Sequence, residues 1–225
     1  MSFSISKVWQ ATTANVARNL SRYALPAAAF TFLPQLAAAF LAPAPETVQD
    51  FSRYDIALPL FIVSAIGLYG QIAILLLALN PERSDGNALR STPALYLPAL
   101  GIMVLTGAAT FAGMLALVIP GLFLAARFAI ALPAFVGAGG GVVENIGRSW
   151  DLTRGPQVWL PTMAALAILA LFLLIGSSVG VMVGSLVDGE EPGLLTGLLT
   201  SGVAAVLAIY YSVFQAELFR SLSDR

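Results

Sequence analysis

The 225-residue chain has no cysteine, no histidine and only 10% charged residues. Without Cys and His there are no disulfides, no thiol chemistry, no zinc or haem ligation of the usual kinds, and no Ser-His-Asp or Cys-His device. The shortage of charge excludes more. An ordinary soluble domain carries roughly 25% charged residues, whereas here 11 basic and 12 acidic residues accompany 58% hydrophobic ones, at a mean hydropathy of +0.86. Such a chain cannot cover a water-facing surface with polar groups. It reads as a single integral membrane domain over residues 1–225. The net charge of −1 gives a nucleic-acid partner nothing to bind; the expected partner is the lipid bilayer.

A spanning helix needs about 20 mostly apolar residues, and the charges cut the chain into six such stretches. They run about 23–41, 56–79, 94–119, 122–136, 159–187 and 194–216. The third and fourth are parted only by Ile119-Pro120-Gly121, a turn signal inside continuous apolar sequence. A single helix there would exceed the bilayer, so a hairpin is expected. The fold class is therefore all-α, a polytopic membrane helical bundle.

Charge sets the threading. With the N-terminus inside, the inner segments hold Lys7, Arg18, Arg22, Arg83, Arg90, Arg148, Arg154, Arg220 and Arg225, and the outer loops only Arg53. The outer loops carry Glu46, Asp50, Asp55, Asp188, Glu190 and Glu191 instead. The Lys/Arg bias puts both termini in the cytoplasm. A rival reading makes residues 1–42 a signal peptide cleaved near Ala37-Ala38-Ala39. The long cationic leader and Pro34 within the apolar run count against it.

Two inner segments have helical apolar stripes. In residues 1–22, Ile5, Val8, Trp9, Thr12, Val16 and Leu20 recur at steps of three and four; in residues 142–154, Val143, Ile146 and Trp150 do. Both are expected to lie in the interface, apolar side in the acyl chains. The middle segment, Glu82 to Ser91, is shorter and broken by Gly86. Each of the three leads into an aromatic near a proline, at Tyr23–Pro26, Tyr96–Pro98 and Trp159–Pro161. This suggests a threefold repeat of surface helix plus two spans. Packing between spans would use small residues: Gly176, Gly180 and Gly184 in span five, facing span one or the Thr196–Thr200–Ala204 stripe of span six.

Arg127 is the one ionisable residue well inside a span, about 9 Å from the outer turn at 1.5 Å per residue. A buried guanidinium needs an acceptor, so Arg127 is a candidate ligand contact for an anion or lipid phosphate. The structural alternative has it reach headgroups or carbonyls near Pro120 and Pro133. Gln35, Gln71 and Gln215 are expected to bond between helices. No residues suggest a catalytic centre, a metal site or a cofactor.

The run Ile119-Pro120-Gly121-Leu-Phe-Leu-Ala-Ala-Arg127, then Pro133, then Arg148-Ser-Trp150-Asp-Leu-Thr-Arg154-Gly155 resembles the membrane domain of some bacterial glycerophosphoryl diester phosphodiesterases, which also occurs as a stand-alone six-span protein. The resemblance covers residues 119–155 and implies a bacterial inner-membrane location. It carries over Pro120, Gly121, Arg127, Arg148, Trp150 and Arg154 as motif positions without catalytic roles. The family often has an acidic residue after the span-four proline; here Val136-Gly137-Ala138 stands there. Phosphodiesterase chemistry belongs to a separate soluble barrel that this chain lacks.

The expected function is a non-enzymatic scaffold or accessory protein of envelope maintenance, serving a partner membrane protein. The alternative is a transporter or lipid-handling protein that contacts an anionic phospholipid or solute through Arg127. An embedded enzyme would need a nucleophile or metal cluster. The threading has a direct check: a periplasmic reporter fused after Glu191 should be active and one fused after Gly86 silent, and the reverse pattern overturns the orientation.

Overall fold

Backbone N–H and C=O groups that cross lipid find no water, so an apolar run can satisfy them internally only by becoming helical. The computed structural model describes residues 3–41, 53–188 and 193–224, and among these there is no strand. Six helical stretches are long and apolar enough to span a membrane. The chain is an all-α bundle.

The N-terminal stretch departs from expectation. Helix α1 (Ile5–Ala27) continues through a π-helical turn (Ala28–Phe32) into α2 (Leu33–Leu41). The interfacial helix and the first span are thus one rod, bent at Asn19 (φ −121°, ψ 17°) rather than broken. At the bend Asn19 Nδ2 donates to the Asn15 carbonyl. The stripe Val8, Thr12, Val16 is buried, and Trp9 stacks on Tyr210 at 6.2 Å, while Leu20 stays 52% exposed. Protein packing has taken the face assigned to acyl chains.

Helix α3 (Tyr54–Leu79) is followed by α4 (Asp85–Ala116), which absorbs the middle lead; Gly86 lies in its first turn and breaks nothing. The Ser84 hydroxyl accepts from the Asn87 N–H and starts that helix upstream of both Pro93 and Pro98. The hairpin to α5 (Val118–Phe128) turns at Leu117, extended at φ −166°, and not at Pro120-Gly121. Gly121 instead lets two backbones touch. A Cβ there would lie 2.8 Å from the Met114 nitrogen, and one on Gly113 would lie 3.0 Å from the Gly121 Cα.

Span four is completed by α6 (Ala131–Ala138), after a break at Ala129–Ile130. Gly139 and Gly140, at φ 72° and 96°, reverse the chain into α7 (Val142–Leu152). This second surface helix keeps Val143 and Trp150 of its stripe outward, as expected, but its polar side is packed into the protein. Val143 is 76% exposed and Trp150 38%, whereas Asn145, Ser149 and Thr153 are buried. Helices α8 (Pro156–Asp188) and α9 (Leu194–Ser223) pair along the glycine stripe: Gly184 meets Thr196, Gly180 meets Thr200, and Gly176 meets Val203. Asp188 closes the far hairpin by accepting from the Thr196 N–H and hydroxyl, both at 2.8 Å. Glu46, Asp50, Glu190 and Glu191 lie outside the described residues. Only α7 stands apart from its span, so the three leads do not form three like units.

One end of the bundle is tied together. Asn15 Nδ2 donates to Glu217 at 2.6 Å, the Tyr23 hydroxyl to Asn15 Oδ1 at 2.8 Å, and Arg220 bridges Glu217 and the Ala78 carbonyl. Arg22 pairs with Asp85 and donates to the carbonyls of Pro81 and Arg83. This is the basic end, where α1, α3, α4 and α9 converge. Packing glycines should respond unequally: Gly121→Leu should destabilise the detergent-solubilised protein by about 1–3 kcal/mol, read as a lowered melting temperature. Gly107→Ala, with nothing within 4 Å of the added carbon, should not lower it.

Candidate functional site

Pro133 has no N–H, so the carbonyl four residues before it, that of Ala129, loses its helical donor. Gln215 Nε2 of α9 donates to that carbonyl at 2.7 Å, and Gln71 Nε2 of α3 donates to Gln215 Oε1 at 2.8 Å. On the opposite side of the break the Arg127 carbonyl accepts the hydroxyls of Ser149 (2.8 Å) and Thr153 (3.1 Å). The polar face of α7 is turned inward for this reason. Carbonyls freed in a span are costly without donors; α9 and the α7 segment supply them, and α3 backs Gln215.

With its carbonyl held by α7, Arg127 projects its side chain beneath the same helix. The residue is 3% exposed, and its Nε and Nη1 are buried without a hydrogen-bond partner. Its guanidinium lies 4.1 Å from the Trp150 ring centre and 6.0 Å from that of Phe123. Phe128 and Trp159 complete the wall, at 5.7 Å from Trp150 and 5.1 Å from Phe123 between ring centres. Such rings attract a cation by up to about 2 kcal/mol, but they accept no ordinary hydrogen bond. The fields of Arg154 and Asp151 reach Arg127, and neither residue forms an ion pair with it. The result is a cation boxed in by aromatic rings, with donors to spare.

Of the motif positions, the fold brings together Arg127 and Trp150, with Arg154 close by. Arg148 is engaged elsewhere, pairing with Glu144 at 3.1 Å one turn away. Pro120 and Gly121 sit at the far hairpin. Arg127 does not reach carbonyls near Pro120 or Pro133, and its charged neighbours come from α7 and the turn after it, not from the outer loop. Gln71 and Gln215 bond between helices as expected, whereas Gln35 is exposed on α2. The glycines at 176, 180 and 184 are spent on packing within the chain.

Several important side chains gave little sign of themselves. Glu217, at the end of the last apolar run, carries no sequence signal of a partner, yet it joins α1 to α9. Ser149 and Thr153, spaced i,i+4 beside the tryptophan, were the available signal for a buried polar face. Comparison with protein-family models, with curated proteins and with solved structures finds no match to this chain.

The glutamine chain has a measurable consequence. Gln215→Leu orphans the Ala129 carbonyl and should cost about 1–3 kcal/mol, seen as a lower melting temperature in detergent. Gln35→Leu should leave that temperature unchanged.

Proposed function

We propose that this is a non-catalytic lipid-handling protein in which Arg127 contacts the phosphate of an anionic lipid. The observation that carries the reading is the pair of buried guanidinium nitrogens, Nε and Nη1, that no protein acceptor meets. Burying a charge without hydrogen-bonded partners is costly, and a phosphate oxygen matches the planar fork of an arginine. Trp150, partly exposed and resting on the guanidinium, serves as the removable cover. Arg154 adds a second positive charge on the approach.

In this reading the chain lies in a bacterial inner membrane, with the basic end and both termini in the cytoplasm, following the Lys/Arg bias. The ligand then enters from the cytoplasmic leaflet. The likeness of residues 119–155 to the phosphodiesterase membrane domain contributes an architecture and no hydrolytic step. A purely scaffolding role leaves the two free donors of Arg127 without a use, which is why lipid handling is preferred.

Native mass spectrometry of gently purified protein is the test. The wild type should retain an anionic phospholipid that Arg127→Leu loses. The same variant should melt at an equal or higher temperature, because replacing a buried, poorly partnered charge with an apolar side chain is neutral or stabilising by about 1–4 kcal/mol. An unchanged lipid complement refutes the reading. A leucine variant that is clearly less stable assigns Arg127 a structural role instead.

A further inference from the structure

Past Phe128, which also stands against Trp150, the bundle is not filled. Three adjoining chambers of about 540, 100 and 260 Å³ separate α3 and α9 from α4 and α5. Met103 and Tyr211 line all three, Thr106 the first two, and Gln71 the last two. The largest chamber is bounded mainly by apolar side chains of α4 and α5, and Gly107 opens onto it with nothing within 4 Å of where a Cβ would stand. No charged residue lines any of the three.

The floor of this cleft has a defined hydrogen-bonding character. Ala129 presents a carbonyl oxygen, which only accepts, so Gln215 must turn its amide nitrogen toward it. Gln215 then offers its oxygen to Gln71, which must answer with its own nitrogen. The chain of amides therefore leaves Gln71 Oε1 as an acceptor with no partner among the described residues. The amide orientations follow from the network and not from a choice between equivalent flips. The Tyr211 hydroxyl, in the same walls, likewise makes no hydrogen bond to a described residue. A free acceptor and a hydroxyl in the walls of an uncharged, mainly apolar cleft call for a ligand that donates and is itself neutral.

We infer that the cleft between α3/α9 and α4/α5 is a binding site for a long-chain, uncharged molecule bearing a hydroxyl group, held by Gln71 Oε1 and the Tyr211 hydroxyl. The hydroxyl donates to Gln71 and accepts from Tyr211, and the hydrocarbon chain occupies the larger chamber toward Gly107. An anionic headgroup is excluded, since its desolvation would find no cation in these walls. The site is distinct from the one proposed at Arg127: Phe128 lines this cleft and also stands against Trp150, Arg127 itself lines none of the three chambers, and the two sites differ in charge.

The probes are a diazirine-tagged hexadecanol, its methyl ether, and hexadecyl phosphate carrying the same tag. Each is photolysed with the full chain in phosphatidylcholine nanodiscs, and labelled peptides are identified by mass spectrometry. The alcohol should label residues 103–114 and 208–215 preferentially. Tyr211→Phe removes a hydroxyl that no described residue uses and should reduce this labelling about threefold to tenfold, the loss of one hydrogen bond. Gly107→Phe fills open space and should reduce it by about tenfold or more. The ether and the phosphate should label these peptides more weakly than the alcohol, and Arg127→Leu should leave alcohol labelling intact. Equal labelling by alcohol and ether, or by alcohol and phosphate, overturns the proposal. So does alcohol labelling that neither Tyr211→Phe nor Gly107→Phe reduces. Loss of anionic lipid from Arg127→Leu with the cleft still labelled upholds both sites; retention of that lipid removes only the first.

Discussion

Span four breaks at Ala129–Ile130, where Pro133 takes away the donor that the Ala129 carbonyl requires, and in lipid no water replaces it. The surrounding structure is arranged to supply donors at that break. Gln215 and Gln71 approach from α9 and α3, while Ser149 and Thr153 approach from α7. These bonds hold four elements at one depth. They also dictate what faces where: α7 must turn its hydroxyls inward, so its apolar residues point out, and Arg127 is trapped beneath Trp150.

The two ends of the bundle follow different rules. At the basic end, Asn15, Tyr23, Glu217, Arg220, Arg22 and Asp85 link α1, α3, α4 and α9 through side-chain hydrogen bonds and ion pairs. Above the glutamine chain the α4–α5 hairpin is closed on itself by the Gly113–Gly121 contact. The unfilled cleft lies between this hairpin and α3 and α9. Two polar environments flank the break, one cationic at Arg127 and one neutral at Gln71 and Tyr211.

Much of the outline was legible in the chain itself. The six spans, the small-residue seam of α8 against α9, and the inter-helix role of Gln71 and Gln215 follow from run length, spacing and the cost of an unpaired amide in lipid. The turn at Leu117 was not legible, since Pro120-Gly121 is a proper turn signal that the fold uses for a first helical turn and a close backbone approach. Nor was the fate of the amphipathic stripes. A helical period says that one face differs from the other, but it does not say whether the apolar face meets lipid or another helix. For α1 the stripe meets α9; for α7 it points outward and the polar face is buried.

The amino-acid order alone determined the solvent, the helical class and the number of crossings, because each depends on totals and run lengths that no packing can alter. It also singled out Arg127 as a charge out of place. Only the tertiary structure decided that Arg127 meets aromatic rings instead of an acceptor, that Glu217 joins two helices, and that Tyr211 and the Gln71 oxygen share an unfilled cleft. Those facts depend on which residues far apart along the chain come to lie side by side, and in lipid that choice is made by the matching of donors to freed carbonyls and by backbone approach at glycines, neither of which has a period to read.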